Sequence, residues 1–488
     1  MGRLVVVSNR VAVPHGNVSD RAGGLAVVIR PVLKRHSGIW FGWSGKISAK
    51  SEAPVRKIMR GHESYIVTDL TSDDYHEYYN GFANRVLWPI FHYRLDVAEF
   101  SHRDLRGYMR VNERFAAELH KILLPEDVIW VHDYHLLPLA KALRDFGYQN
   151  KIGYFHHIPF PPTEILTALP NHEHLIPMMC QYDLIGLQTD CDATNFAHYL
   201  KRECKIPKLD QCTFQAGARR MRIGVFPVGV ETAKLNRLAR RAIHLPFVQD
   251  VVVSLADRNM IIGVDRLDYS KGIALRMEAF DRFLSAHPSW RGKVTYLQIT
   301  PKSRSEIREY ADIERHIDET AGRINGMYGE ASWTPIRYVN RNHSRSALAG
   351  LYRAARAALV TPLRDGMNLV AKEYVACQNP EDPGVLILSR FAGAAAECAA
   401  ALLVNPYDPE SVGTAIEQAL SMPLDERRSR NSALFQVLMT HDAKNWHERF
   451  LGALTCEQDS PIGVPWMKTD GLSTFDMERE TEERSSID

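Results

Sequence analysis

Short apolar, β-branched runs alternate with helix-length segments along nearly the whole of this chain, and that alternation leaves few folds open. The runs are Leu4–Ser8, Tyr65–Leu70, Val128–His132, Ile152–His156, Leu184–Gln188, Arg222–Phe226, Met260–Val264, Val294–Ile299, Ala357–Thr361 and Val385–Ser389. Between them lie segments such as Tyr134–Phe146, Asp192–Arg202, Ile273–His287 and Ser344–Arg356. Continuous apolar strands separated by helices indicate parallel sheets covered on both faces, an α/β doubly wound class. So many strands exceed one comfortable sheet, and 488 residues are about three times the roughly 150-residue modal domain. The chain is expected to divide near Phe226–Val230 and the Arg/Leu-rich segment after it, since a second βα series restarts at Met260. We set the division as 1–240 and 241–456, two doubly wound Rossmann-like domains facing a central cleft at the carboxyl ends of their strands. From 457 to 488 apolar anchors are few, and a solvated, disordered tail is expected.

Composition narrows the partners. Sixty Lys and Arg against 58 Asp and Glu leave a formal charge of +2, which gives no general attraction to nucleic acid or to an anionic membrane. Any anionic ligand must be met by a local cluster of cations. No segment approaches the roughly 18 uncharged apolar residues of a membrane span; the nearest, Phe391–Leu403, contains Glu397. The first apolar run is too short for a secretory leader. Seven scattered cysteines without a CxxC are expected to be reduced thiols, and the compartment cytoplasmic.

Two strand-to-helix turns can meet such an anion. In Thr361–Glu373, Asp365 is expected to cap a helix starting near Met367, and Gly366 to let backbone approach a ligand. Amides exposed at that helix start suit a diphosphate, and Glu373 suits sugar hydroxyls. The same residues also read as an ordinary capped helix bearing a surface glutamate. In Gly263–Gly272, Arg266 and Lys271 can reach one phosphate group, or each can pair with Asp265 or Asp268. Near the N-terminus Arg10 follows the first strand, and Gly23-Gly24 opens the next helix without forming a GxGxxG fingerprint. Aromatic residues gather at Trp40–Trp43 and from Tyr78-Tyr79 through Trp88; such faces suit pyranose rings but are as often plain core. His132, Asp133, His135, His156 and His157 stand at two successive strand ends. Their HxxH spacing straddles a strand end instead of one helix face, so no metal is expected.

In combination these stretches resemble the trehalose-6-phosphate synthase family, retaining nucleotide-sugar glucosyltransferases of GT-B fold. The resemblance runs in order from residue 2 to about 455. It is carried by Val6–Arg10, Ala22–Leu25, Trp40–Gly45, Tyr78–Asn80, Leu87–Pro89, His132–Pro138, His157–Pro161, Arg266–Gly272, Gly322–Gly326 and Arg364–Glu373. It implies transfer of glucose from UDP-glucose to glucose 6-phosphate, giving α,α-trehalose 6-phosphate and UDP, with no cofactor, metal or protein nucleophile. Carried over position by position, it implies that Arg266 and Lys271 hold the donor diphosphate and that Glu373 takes the ribose hydroxyls. Leu369, Val370, Ala371 and Lys372, with Gly23 and Gly24, complete the donor site. Asp365 binds donor glucose and His157 lies near the reacting carbon. Arg10, Tyr79 and Arg304 bind the acceptor phosphate, while Trp88 and Asp133 orient the acceptor sugar. His343 departs from the aromatic residue, such as Phe, expected beside the uracil. Other readings are a different donor (ADP- or GDP-glucose) or acceptor, and a non-catalytic sugar-phosphate sensor, whose mark is loss of Arg266, Lys271 or Glu373; all three are present. Oligomeric state stays open, a homo-oligomer included.

Overall fold

The computed structural model describes residues 2–14, 25–49, 54–302 and 308–456. Gly23, Gly24, Arg304 and the expected tail from 457 lie outside the described residues. The first sheet contains β1 (Leu4–Arg10), β2 (Ile39–Ser48), β3 (Val55–Arg60), β4 (Glu63–Thr71), β5 (Val128–His132), β6 (Ile152–Phe155), β7 (Leu184–Leu187), β8 (Thr213–Ala216) and β9 (Arg219–Val225). Its order is β3-β4-β2-β1-β5-β6-β7-β9-β8, parallel except for β3 and β8, which run antiparallel at the two edges. The second sheet contains β10 (Asn259–Val264), β11 (Val294–Ile299), β12 (Ile336–Val339), β13 (Ala357–Val360), β14 (Val385–Ser389) and β15 (Leu402–Val404). It is parallel throughout, in the order β12-β11-β10-β13-β14-β15.

Strand order locates the ligand crevices before any side chain is considered. In the first sheet the order reverses at β1, which has β2 on one side and β5 on the other; in the second it reverses between β10 and β13. Open α/β sheets bind ligands outside the carboxyl ends of strands at such switch points. Arg10 ends β1 and Asp133 follows β5; Arg266 follows β10 and Asp365 follows β13.

Three expectations need correcting. The segment Tyr134–Phe146 is not one helix: it opens with a tight turn at Tyr134–Leu136, and the α-helix begins only at Leu139, after Pro138. The helix near Met367 starts at Leu369, and its N-cap is Asn368, whose side chain accepts from the Ala371 N–H (3.4 Å). Asp365 therefore does not cap it. Five further strands escape the apolar pattern: β2, inside the sheet, shows in the sequence only as the aromatic stretch Trp40–Trp43, while four lie at sheet edges, where Val55–Arg60 is half cationic and β8, β12 and β15 have only three or four residues.

The chain passes between the sheets twice. After β9 it crosses through 226–231. The next helix, Thr232–Ala242, already lies on the second half, where Asn236 donates to the Ala376 carbonyl (3.0 Å). The last helix, Ala443–Thr455, returns to the first half. Phe450 and Leu454 fill the space over Gly153, where a β-carbon would lie 2.8 Å from either ring or methyl, and Phe450 likewise covers Gly186. Trp446 packs on Trp130 (5.0 Å between centroids) and edge-on to Phe155 (5.0 Å). One apolar cluster consequently runs from Val6, Trp130 and Phe155 through Phe450 to Ile262 and Val360, so the two halves share a core.

The two crossings are also tied by polar groups. The Ala443 N–H donates to Val230 O (3.1 Å) and the Thr232 hydroxyl to Leu438 O (2.9 Å). Lys372, fully buried, donates to Val228 O (2.8 Å) and pairs with Glu397, whose other oxygen meets His441 Nδ1 at 2.6 Å. A lysine stripped of water is tolerable only with such partners.

Candidate active site

The second sheet supplies a cationic wall. Between β10 and the helix Ile273–Ala286 the chain makes a tight turn at Tyr269–Lys271, with Asp268 capping it by accepting from the Ser270 N–H (3.0 Å). Arg266 pairs with Asp268 (2.9 Å), and Lys271 pairs with Asp365 from the β13 turn. The expected ion pair within the turn is thus realised for Arg266 alone; Lys271 pairs with neither Asp265 nor Asp268 but with Asp365. Asp265 instead faces Arg276, a buried guanidinium that also donates to Thr361 Oγ1 (2.9 Å), Gln298 Oε1 (3.2 Å) and the Lys271 carbonyl (3.2 Å). Burial raises the Asp265 pKa and Arg276 opposes the rise. Arg276 thereby sews the ends of β10, β11 and β13 together beneath Lys271, a role that spacing alone does not reveal.

Beside this wall opens the helix Leu369–Cys377. Asn368, at φ 71°, turns the chain and takes the Ala371 N–H, and its own amide donates to Asp365 (3.0 Å). Among the described residues no acceptor takes the Leu369 and Val370 N–H groups, which face outward from the first turn. Glu373 stands one turn further on; burial raises its pKa, with Arg345 opposing. Ala371 is buried, and the Lys372 side chain belongs to the crossing described above, so neither offers a side chain to a ligand there. His343 stacks on Phe247 at 5.1 Å with 28° between planes, so an aromatic face is kept at that position.

The first sheet supplies an aromatic wall. Residues Tyr75–Leu87 form a helix wound more widely than an α-helix, in which the N–H of Trp88 reaches back five residues to Ala83. Such winding is rare and frequent at functional sites. Arg110 anchors its start by donating to Asp74 (2.7 Å) and Glu77 (2.9 Å), and Arg114 adds a bond to Asp74 (2.9 Å). The helix carries Tyr79, which stacks on His135 (5.9 Å, 12°) and touches Trp43 (5.2 Å). Arg10 lies over the same Trp43 ring at 5.9 Å.

The walls meet. Arg266 lies over the Trp88 ring at 4.5 Å, and the Trp88 indole donates to Asp268 (3.4 Å). From Trp88 the rings continue through Tyr134 (5.6 Å), His135 (4.0 Å) and Tyr79 to Trp43 and Arg10. Arg364 covers Tyr93 at 3.9 Å. Gly366 abuts His157: a β-carbon there would lie 2.1 Å from the His157 carbonyl oxygen, so this glycine admits close approach of the other half's backbone. Arg10, Tyr79, Trp88, Asp133, His157, Arg266, Lys271 and Asp365 thus all lie along one interdomain seam.

Asp133 is the strained point on that seam. Its backbone, at φ 78° and ψ 165°, occupies a region essentially reserved for glycine. The strain aims its carboxylate at the His157 N–H (3.2 Å). His157 Nε2 in turn lies 3.0 Å from His132 Nδ1; burial lowers the His157 pKa to about 3, and burial with the neighbouring His157 holds that of His132 well below the usual imidazole value. His156 is engaged elsewhere, against Tyr154 OH (2.9 Å) and Pro159 O (3.3 Å).

A cationic wall fit for a diphosphate, opposite aromatic faces fit for a pyranose, is what a sugar-nucleotide-dependent glycosyltransferase requires, and this two-sheet architecture defines that class. Residues 3–456 match the sequence pattern of Glycosyltransferase family 20, and the chain belongs to that family. It is 52% identical over 461 residues to the trehalose-6-phosphate synthase of Sinorhizobium fredii, covering 94% of this chain and 99% of that one. It also resembles, at 43% identity and TM-score 0.90, the UDP-forming α,α-trehalose-phosphate synthase of Burkholderia xenovorans in complex with glucose-6-phosphate, over 93% of this chain and all of that one. An Escherichia coli structure bound with UDP-2-fluoro glucose matches at 44% identity and TM-score 0.88, covering 93% and 99% of the two chains. No described helix is long and apolar enough to cross a membrane.

Proposed function

We propose that this chain transfers glucose from UDP-glucose to glucose 6-phosphate, with retention, forming α,α-trehalose 6-phosphate and UDP. The observation that carries the reading is the contact of Arg266 with Trp88, which joins a diphosphate-type cation to a sugar-type aromatic face across the seam. Relatives of the same family, alike over more than nine-tenths of this chain, support the same donor and acceptor.

Roles follow from chemistry at each position. Arg266, Lys271 and the Leu369 and Val370 amides suit the diphosphate; charge develops there as the glycosidic bond breaks, and donors already in place stabilise it without reorganising. Glu373, half-buried with its carboxyl poorly solvated, suits ribose hydroxyls. Asp365 suits donor glucose hydroxyls once a diphosphate competes for Lys271. Arg10 and Tyr79, with Arg304 beyond the described residues, suit the acceptor phosphate; Trp88 and Asp133 suit the acceptor sugar. The seven cysteines are all free thiols, which supports a reducing compartment, the cytoplasm. The decisive assay is UDP release with each substrate omitted in turn: release is expected only with both, and none with any hexose phosphate would overturn the reading.

The strain at Asp133 gives a second test. Asp133→Gly relieves about 1–3 kcal/mol of backbone strain against roughly 1 kcal/mol of added chain entropy, so stability is expected to hold or rise. Turnover is expected to fall at least about tenfold for the lost charged hydrogen bond. Asp133→Asn keeps the strain and serves as the comparison; a denaturation midpoint of the Gly variant below that of the Asn variant by the full entropy term would show that the backbone costs nothing.

A further inference from the structure

His132 is fully buried at the end of β5, and its Nδ1 lies 3.0 Å from Nε2 of His157. One hydrogen occupies that contact, and its position fixes the chemistry of both rings. Neutral imidazoles carry a single N–H each, and burial keeps both rings neutral. If His157 donated from Nε2, the proton of His132 would sit on its own Nε2, a buried atom with no hydrogen-bond partner among the described residues. If His132 donates from Nδ1, that same Nε2 is only an unused lone pair. Buried orphan N–H groups are rarer, and costlier, than under-used acceptors.

The surroundings weigh the same way. Trp130 and Trp446 pack against His132, with ring centroids 4.5 and 6.4 Å away, and the indole N–H of each is also buried without an acceptor among the described residues. Indole nitrogen can only donate. A third N–H in this acceptor-poor cluster would deepen the mismatch; a lone pair does not.

We propose that His132 is a positioning residue that holds His157 as its Nδ1–H tautomer, so that His157 offers a hydrogen-bond donor, not a proton acceptor, to an oxygen of the bound sugar nucleotide. This rests on the reading above that the donor sugar lies beside His157 and Gly366. The hydrogen bonds of His157 to described residues run through its Nε2, its backbone N–H and its carbonyl, not Nδ1, and the residue is only partly buried, so Nδ1 is left for a ligand. With Nε2 filled by His132 and Nδ1 already protonated, His157 has no lone pair for the acceptor's proton. In the transfer, the bond from the anomeric carbon to the UDP oxygen breaks as the bond to the acceptor oxygen forms. The acceptor's hydroxyl proton passes to the departing diphosphate oxygen, and His157 keeps its own proton throughout.

The test uses the full chain labelled with 15N-histidine and no ligand, His157 being assigned by the spectrum of His157→Gln. Its Nδ1 is expected to resonate as a protonated nitrogen and its Nε2 as an unprotonated one. In His132→Phe the Nε2–H form is expected to appear, with kcat down about 10- to 100-fold and both KM values within about twofold. His132→Asn, whose amide can donate from near the Nδ1 position, is expected to restore the tautomer and most of kcat. A wild-type His157 protonated at Nε2 overturns the assignment, and full kcat in His132→Phe overturns its link to turnover. A wild-type chain that releases no UDP removes the functional reading instead, while the resonances still decide the tautomer.

Discussion

Lys271→Met is expected to lower kcat about 10²- to 10³-fold while moving the KM for the sugar nucleotide far less, the usual result of deleting one preorganised donor from a site of developing negative charge. Lys271 is mostly buried, its ammonium pairs with Asp365, and its backbone is pinned by Arg276, so its ammonium is already aimed before substrate arrives. Removing it also leaves Asp365 with the Asn368 amide alone, and breaking a largely buried pair can cost up to about 3–5 kcal/mol. The double variant Lys271→Met/Asp365→Asn separates the two effects. It should recover most of the melting temperature but none of the rate. Steady-state UDP release and thermal denaturation on the same preparations decide the matter; a variant with normal kcat and only a raised KM would mean that Lys271 binds donor and transition state alike.

Phe450→Ala is expected to cost about 3–5 kcal/mol of stability, the largest loss we foresee from a residue outside the cleft. The ring is fully buried and stacks on Trp130 at 4.9 Å with 15° between planes. It meets Phe226 at 5.3 Å and lies against the bare faces of Gly153 and Gly186. Those glycines leave no side chain of their own to collapse into the cavity, which places the cost toward the upper end. Chemical denaturation monitored by tryptophan fluorescence measures it. A loss under about 1 kcal/mol would mean that the last helix is merely laid on the surface, and the shared core would have to be abandoned.

Much of this architecture was legible in the chain because parallel strands announce themselves as unbroken apolar runs, and because ligand-facing residues of such sheets fall just past strand ends. Arg266, Lys271 and Asp365 could be picked out on that ground alone, and β1, β5, β10 and β13 lie where the runs are. The supporting residues could not. Arg276 looks like any cation inside an amphipathic helix, and nothing near it in sequence reveals Asp265, Gln298 and Thr361 converging on it. Asn368 lost the capping role to Asp365 in our reading because both residue types cap helices; the left-handed backbone at 368 decides between them. Lys372 sits in the middle of a donor-site motif yet turns inward, a direction set by helix phase and by a carbonyl 144 positions away. The short edge strands carry too few residues to show any period.

The return of the final helix has a consequence for how the molecule is made. On the ribosome, residues 1–225 emerge first, yet the faces of Gly153, Gly186 and Trp130 remain uncovered until Trp446, Phe450 and Leu454 are synthesised. The first-made half must wait, with an apolar surface bare, while some two hundred further residues are translated, and a message cut short before codon 443 would yield a product with nothing to cover it.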